Sequence, residues 1–216
     1  MRDNLNPKER ITTLLMSTKR EGMESLIAYL EKEGFFESPA STRFHGSYAG
    51  GLANHSLRVF ELLDAFVSEM DLGSSTSPGQ EPLPFEYNNL VIAGLLHDVC
   101  KIGAYIGTAT PYKWNRKQPK GHSSLSLERI KKFIQLAEVE ELMIKYHMGV
   151  YGLNEFYRQD DWQQGEYPLR GDNSKSKEER RGRSLANAWY HNPIVKLMYF
   201  CDEIATLKEK IQKKGV

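Results

Sequence analysis

Glu86-Tyr-Asn-Asn-Leu-Val-Ile-Ala-Gly-Leu-Leu-His-Asp-Val-Cys-Lys101 is the stretch that decides the fold. From Leu90 to Leu96 every residue is apolar or glycine, so no polar face exists. The pattern predicts a helix over Glu86–Val99 that is buried on all sides, at the centre of a larger assembly. The apolar run is far too short to cross a bilayer. His97 and Asp98 then end this most apolar of helices. A polar pair there is a mismatch, because an isolated buried carboxylate is costly unless something neutralises it.

Working outward, the other periodic segments also read as helices. Residues 8–18 and 22–33 are amphipathic, the second stopped by Gly34. From Leu52, apolar residues recur at Val59, Leu62, Phe66 and Met70, which is helical spacing. Ser123–Leu136 and Val139–Met148 give two more helices, and Asn192-Pro193 is a start signal for a last helix through Ile194–Lys210. Alternating strand patterns are scarce. The expectation is an all-α bundle of one domain, with residues 1–40 as a helical extension packed on a core of 41–216. Two loops are expected, at Gly73–Pro84 and over about 159–183, the second a long polar loop before the last helix.

Polar residues recur on the apolar stripes. His55 lies between Leu52 and Val59, His147 follows Met143 and Ile144, and Asp202 falls between Met198 and Ala205. A His-Asp pair alone is expected by chance about 0.2 times in such a chain. A lone histidine on an apolar face is most often a hydrogen-bonded core residue. The ordered set His55, His97-Asp98, His122, His147 and Asp202 is a different matter. Converging on one interior, it fits a cation that neutralises the carboxylates and satisfies the imidazoles.

The set resembles the HD-domain superfamily of metal-dependent phosphohydrolases, whose pattern is a His, a His-Asp pair and a distal Asp. His45-Gly-Ser-Tyr-Ala-Gly-Gly-Leu-Ala-Asn-His-Ser-Leu57 is similar to the first-ligand segment of HD-type 3′-5′ exoribonucleases. Gly121-His-Ser-Ser and Ile144-Lys-Tyr-His-Met-Gly149 resemble segments of small phage and prophage HD hydrolases. The resemblance implies that His55, His97, Asp98 and Asp202 hold one divalent ion. Asp98 would bridge to a second, held by His122 and His147. A metal-bound hydroxide would then attack a phosphoester of a nucleotide or short oligonucleotide. All-His/Asp ligation suits Mn²⁺, Fe²⁺, Co²⁺, Ni²⁺ or Mg²⁺ without choosing among them.

Around that set, Lys101 is either a transition-state cation or a partner for Asp98. Arg58, one turn from His55, is a phosphate clamp or a solvated arginine. Tyr112-Lys-Trp-Asn-Arg-Lys-Gln-Pro-Lys120 holds Lys113, Arg116, Lys117 and Lys120 and no acid, interleaved with Tyr112 and Trp114. Cations with rings suit a nucleotide or short single strand, and a solvated loop has the same look. A second basic run, Lys175–Arg183, reads as a lid or as an exposed charge run. His45 is a candidate substrate group ahead of a Gly-rich turn, and His191 reads as structural. Tyr146, Tyr151, Phe156, Tyr157 and Trp162 would wall a base pocket or pack in the core.

Composition sets the outer limits. With 29 Lys+Arg against 28 Asp+Glu in 216 residues, the net charge of +1 excludes a histone-like polyanion coat. The 40% apolar content is that of a globular chain. Two cysteines in apolar runs argue against a disulfide framework and suit the cytoplasm, with no membrane partner expected. Two rival readings remain on this evidence: an HD-fold di-iron oxygenase, and a catalytically silent nucleotide-binding module.

Overall fold

The structure is a computed structural model and describes residues 5–70, 85–119, 121–149 and 185–214, with side chains to 207. Helix α1 (Pro7–Ser17) opens on a capping box. Asn6 Oδ1 accepts from the Glu9 amide at 3.0 Å, and Glu9 Oε2 accepts from the Asn6 amide at 3.1 Å. Helix α2 is Met23–Lys32, α3 is Gly51–Glu69 and α4 is Tyr87–Leu96. Helices α5 (Ser123–Ile130), α6 (Glu138–Tyr146) and α7 (Pro193–Lys214) follow. The fold is all-α, with one small hairpin among the described residues.

As its apolar run requires, α4 is the central helix: Leu90 to Leu96 are all buried. It packs against α1, α3 and α6, while α7 lies across α3 and α6. Ile11 and Leu15 of α1 and Leu26 and Leu30 of α2 belong to the same apolar cluster as Leu52, Leu95 and Met198. The α3–α4 crossing is tight because Gly94 lacks a side chain; a Cβ there would stand 3.0 Å from Phe60 Cα. That close approach brings His55 of α3 beside His97 at the end of α4.

Three expectations are corrected. The helix expected over Glu86–Val99 ends at Leu96, and the chain tightens after Asp98 into a 3₁₀ turn, Val99–Lys101. Arg129 holds that turn, its Nη1 donating to the carbonyls of Val99 at 2.8 Å and Ile102 at 3.2 Å. The helix expected over Ser123–Leu136 ends at Ile130. Beyond it the backbone finds other partners: Gln135 O accepts from Arg20 at 2.6 Å, and the Ala137 amide donates to Glu140 at 2.7 Å. The third is a hairpin that the sequence did not announce. Strands β1 (Tyr105–Ile106) and β2 (Lys113–Trp114) pair antiparallel, with Tyr105 opposite Trp114. The expected loops at Gly73–Pro84 and 159–183 lie outside the described residues.

Candidate metal centre

Five helices and one turn deliver the six polar residues of the set to one interior. His55 sits in the second turn of α3, His97 caps α4 and Asp98 begins the 3₁₀ turn. His122 precedes α5, His147 caps α6 and Asp202 lies on α7. All but His122 are buried, and that ring is partly so.

The two oxygens of Asp98 face different pairs of rings. Oδ2 is 3.6 Å from His55 Nε2 and 3.4 Å from His97 Nε2. Asp202 Oδ1 joins this side, 3.0 Å from His55 Nε2 and 4.0 Å from His97 Nε2. Oδ1 of Asp98 is 2.8 Å from His122 Nε2 and 3.6 Å from His147 Nε2. Those last two nitrogens are themselves 3.2 Å apart.

The opposite ring nitrogens decide whether this cluster fits a cation. His97 Nδ1 meets Gly94 O at 3.0 Å, and His147 Nδ1 meets Ile144 O at 2.7 Å. A carbonyl only accepts, so each Nδ1 carries the proton and a neutral ring turns its Nε2 lone pair toward the carboxylates. Lone pairs aimed at carboxylate oxygens repel unless a cation stands between them. His97 Nε2 is buried and, among the described residues, has no hydrogen-bond partner. The residues therefore fit a divalent cation.

Lys101 Nζ lies 2.6 Å from Asp98 Oδ2, one ammonium for two buried carboxylates. Burial pushes both carboxyls up, but nearby cationic and hydrogen-bonding groups win. Lys101, His97 and His122 hold Asp98 well below the usual carboxylate range, and His55 does the same for Asp202. Burial holds His97 below the usual imidazole range. Burial acts the same way on His122, but the facing Cys100 and Asp98 outweigh it and raise that ring. Lys101 is raised by Asp98 against the pull of burial, so its ammonium keeps its proton. Glu140 is the contrasting buried acid: its partners are Arg20, Asn89 and the Ala137 amide.

His45 reaches the centre from the preceding turn, its ring centroid 5.0 Å from that of His55. The turn closes because Gly46 and Gly51 pass so near that a Cβ on Gly51 would lie 1.9 Å from Gly46 O. Both His45 ring nitrogens are buried without a hydrogen-bond partner among the described residues. Burial first, then the charges of Lys101 and His55, push its pKa down to about 3.

The remaining expected residues are more scattered. Arg58 is half-buried on α3 and, among the described residues, forms no ion pair with Asp98 or Asp202. Lys113, Arg116 and Lys117 are exposed on β2 and the turn after it, outside the immediate cluster; Lys120 lies outside the described residues. Tyr112 is only 7% exposed and is not available for stacking. Tyr146 is a core residue, His191 is exposed, and Tyr151, Phe156, Tyr157, Trp162 and Lys175–Arg183 lie outside the described residues.

Sequence reasoning missed the residues that brace the site. Cys100 Sγ is 3.2 Å from His122 Nδ1. Its amide donates to Ser126 Oγ at 3.0 Å, and its carbonyl accepts from Gln118 Nε2 at 2.7 Å. One signal was present: Ser126 and Arg129 follow His122 by four and seven residues, on one helical face.

The HD-domain family model matches residues 52–180, more than half of the chain, and spans His55, His97, Asp98, His122 and His147. Among curated proteins, a 3′-5′ exoribonuclease YhaM of Geobacillus sp. (strain WCH70) is 25% identical over 146 residues. The alignment covers 65% of this chain and 41% of that protein, so the chain spans less than half of that relative's length. No solved structure matches. Among the described residues, no helix is long and apolar enough to cross a membrane. By the family match and the centre it spans, the chain belongs to the HD-domain superfamily of metal-dependent phosphohydrolases.

Proposed function

We propose that the chain is a cytoplasmic phosphohydrolase that cleaves a phosphoester bond of a nucleotide or short oligonucleotide. The observation that carries this reading is the division of Asp98 between two imidazole pairs, with Asp202 on one side. His55, His97, Asp98 and Asp202 would hold one divalent cation, and Asp98, His122 and His147 a second. Such cations draw charge from phosphoryl oxygens and make a water acidic near neutral pH.

The chain's own groups do the rest. Fixed Nδ1 hydrogen bonds aim His97 and His147 inward, so no ring must reorient during turnover. Lys101 keeps its proton beside Asp98 and can donate to a phosphoryl oxygen. His45 lines the inner wall next to His55, and Arg58 is the proposed clamp on a further phosphate oxygen. Lys113, Arg116 and Lys117 would meet the phosphates of a longer substrate. Hydrolysis adds water oxygen to phosphorus and breaks the bond to the leaving oxygen, which takes up a proton. The name of the exoribonuclease relative supports a nucleic-acid phosphoester as substrate. Two unpaired cysteines, Cys100 and Cys201, suit a reducing compartment.

The test is hydrolysis by the purified protein with Mn²⁺ or Co²⁺, first of a generic phosphodiester and phosphomonoester, then of a nucleotide panel. Activity is expected in the parent and lost when His97→Ala and Asp98→Ala are combined. Equal activity in that double variant overturns the reading.

A further inference from the structure

We propose that Phe44, Tyr48 and Trp114, set among the cations Arg43, Lys113 and Lys117, form a ridge that binds single-stranded nucleic acid by base stacking and leads it to the metal centre. The inference rests on the phosphoester reading above and narrows its substrate to a strand.

Charge is the first observation. Ser38–Phe60 and Val99–Leu127 contain no Asp or Glu, yet together hold seven Lys or Arg. The chain as a whole is nearly balanced, at 29 basic residues to 28 acidic. The positive excess is thus concentrated on two segments.

The fold then joins those segments. The Tyr112 amide donates to Thr42 O at 2.7 Å, and the Thr110 hydroxyl donates to Ser47 O. On each side of the first joint a cation and a ring follow directly: Arg43-Phe44 after Thr42, and Lys113-Trp114 after Tyr112. The ring expected to stack there is instead buried, at 7% exposure, while the Tyr112 amide makes the joint.

The rings at the joint face water. Phe44 is 54% exposed, Trp114 52% and Tyr48 45%. Single exposed apolar residues are ordinary, but three large rings on two joined loops, rimmed by cations, mark a binding surface. Arg43 lies 5.5 Å from the Phe44 ring centroid, and Trp114 packs edge-on against Tyr105 at 5.6 Å, so both rings are held.

The ridge also ends at the centre. Phe44 is followed by His45, whose ring meets His55. The Ala104 amide donates to Lys101 O at 3.0 Å, which puts β1 directly after the lysine paired with Asp98. Platforms on two loops suit successive unstacked bases. A duplex hides its base faces, and a mononucleotide fills one platform only.

The test is fluorescence anisotropy of a labelled oligouridylate of about a dozen nucleotides, with the full chain in chelator so that nothing is cleaved. The parent is expected to bind the strand at least about ten-fold more tightly than UMP or a matched duplex. Trp114→Ala and Phe44→Ala are each expected to weaken binding by about ten-fold, and Trp114→Phe to retain it. Lys113→Ala is expected to lower the salt slope by about 0.7. Circular dichroism checks that each variant is folded. No strand binding, equal binding of duplex, unchanged binding in the alanine variants, or equal loss in Trp114→Ala and Trp114→Phe each overturns the ridge. None of these bears on the phosphohydrolase reading, which stands or falls on hydrolysis of the small esters by the parent.

Discussion

Cys100 Sγ stands 3.2 Å from Nδ1 of His122, while Nε2 of the same ring is 2.8 Å from Asp98 Oδ1. Opposite nitrogens of one imidazole cannot reach one cation together, so Cys100 braces His122 from behind rather than sharing an ion with it. The ring's orientation then depends on the thiol, whose backbone is fixed by Ser126 and Gln118. Cys100→Val is expected to weaken metal binding by about 10- to 100-fold, the usual cost of losing such support. Cys100→Ser keeps a polar atom facing Nδ1 and is expected to retain most of the affinity. Competition with a chelating dye measures both, and equal affinity in all three proteins overturns the role.

Asp98 and Asp202 are expected to differ in how much metal they hold. Among the described residues, Asp98 lies within 4 Å of both imidazole pairs, whereas Asp202 comes that near only to His55 and His97, with His147 further off, within 4.8 Å. Asp202→Asn should therefore lose one ion and keep the other, while Asp98→Asn loses both. Elemental analysis of the dialysed proteins reads the difference. The same metal content in the two variants contradicts the division of Asp98 between two ions.

The centre was legible because five of its six members break a local rule; His122 breaks none and was drawn in by the ordered set and the resemblance of Gly121-His-Ser-Ser. His55, His147 and Asp202 are polar residues on apolar stripes, and His97-Asp98 closes a helix with no polar face. Tertiary packing alone could reveal the rest. The β1–β2 pair has two residues per strand, too few for any alternation to show. In sequence Tyr112 reads as a second ring beside Trp114, and only the fold buries it where its amide meets Thr42. Phe44 and Tyr48 sit far from the hairpin in sequence, so nothing local links them to it. Glu140 and Arg20 are likewise 120 residues apart; Glu140 does stand on the stripe of Met143 and Ile144, but nothing local points to Arg20 as its partner.

His45 makes the metal-free protein sensitive to acid. Its folded pKa is pushed down to about 3, against an ordinary value near 6.5. Between those values the unfolded chain binds a proton that the folded ring refuses, so stability falls as pH is lowered through that window. His45→Gln removes this contribution and should flatten the decline. Asp98 and Asp202, both depressed, add their own loss only below about pH 4. The comparison is therefore urea unfolding in chelator at about pH 6.5 and 4.5. A parent and variant that lose equal stability over that interval contradict the assignment.

Arg20 and Glu140 hold the helix that carries His147. Arg20 Nη2 is 2.7 Å from Glu140 Oε1, and Nη1 is 3.1 Å from Oε2. Asn89 Nδ2 adds a bond at 2.9 Å to Oε1, which ties α4 to α6 through the same carboxylate. Arg20→Ala leaves the fully buried Glu140 with amide partners but no countercharge. Losing one member of such a pair costs about 3–5 kcal/mol when both are buried, and Arg20 is partly exposed. The expected cost is therefore about 2–3 kcal/mol, measured by urea unfolding. Glu140→Leu combined with Arg20→Met removes both charges and should recover much of that loss. Metal content per folded chain is expected to stay at the parent's level, because none of these groups touches the centre. A cost below about 0.5 kcal/mol for Arg20→Ala, the range of ordinary surface changes, overturns the pair's role in the fold.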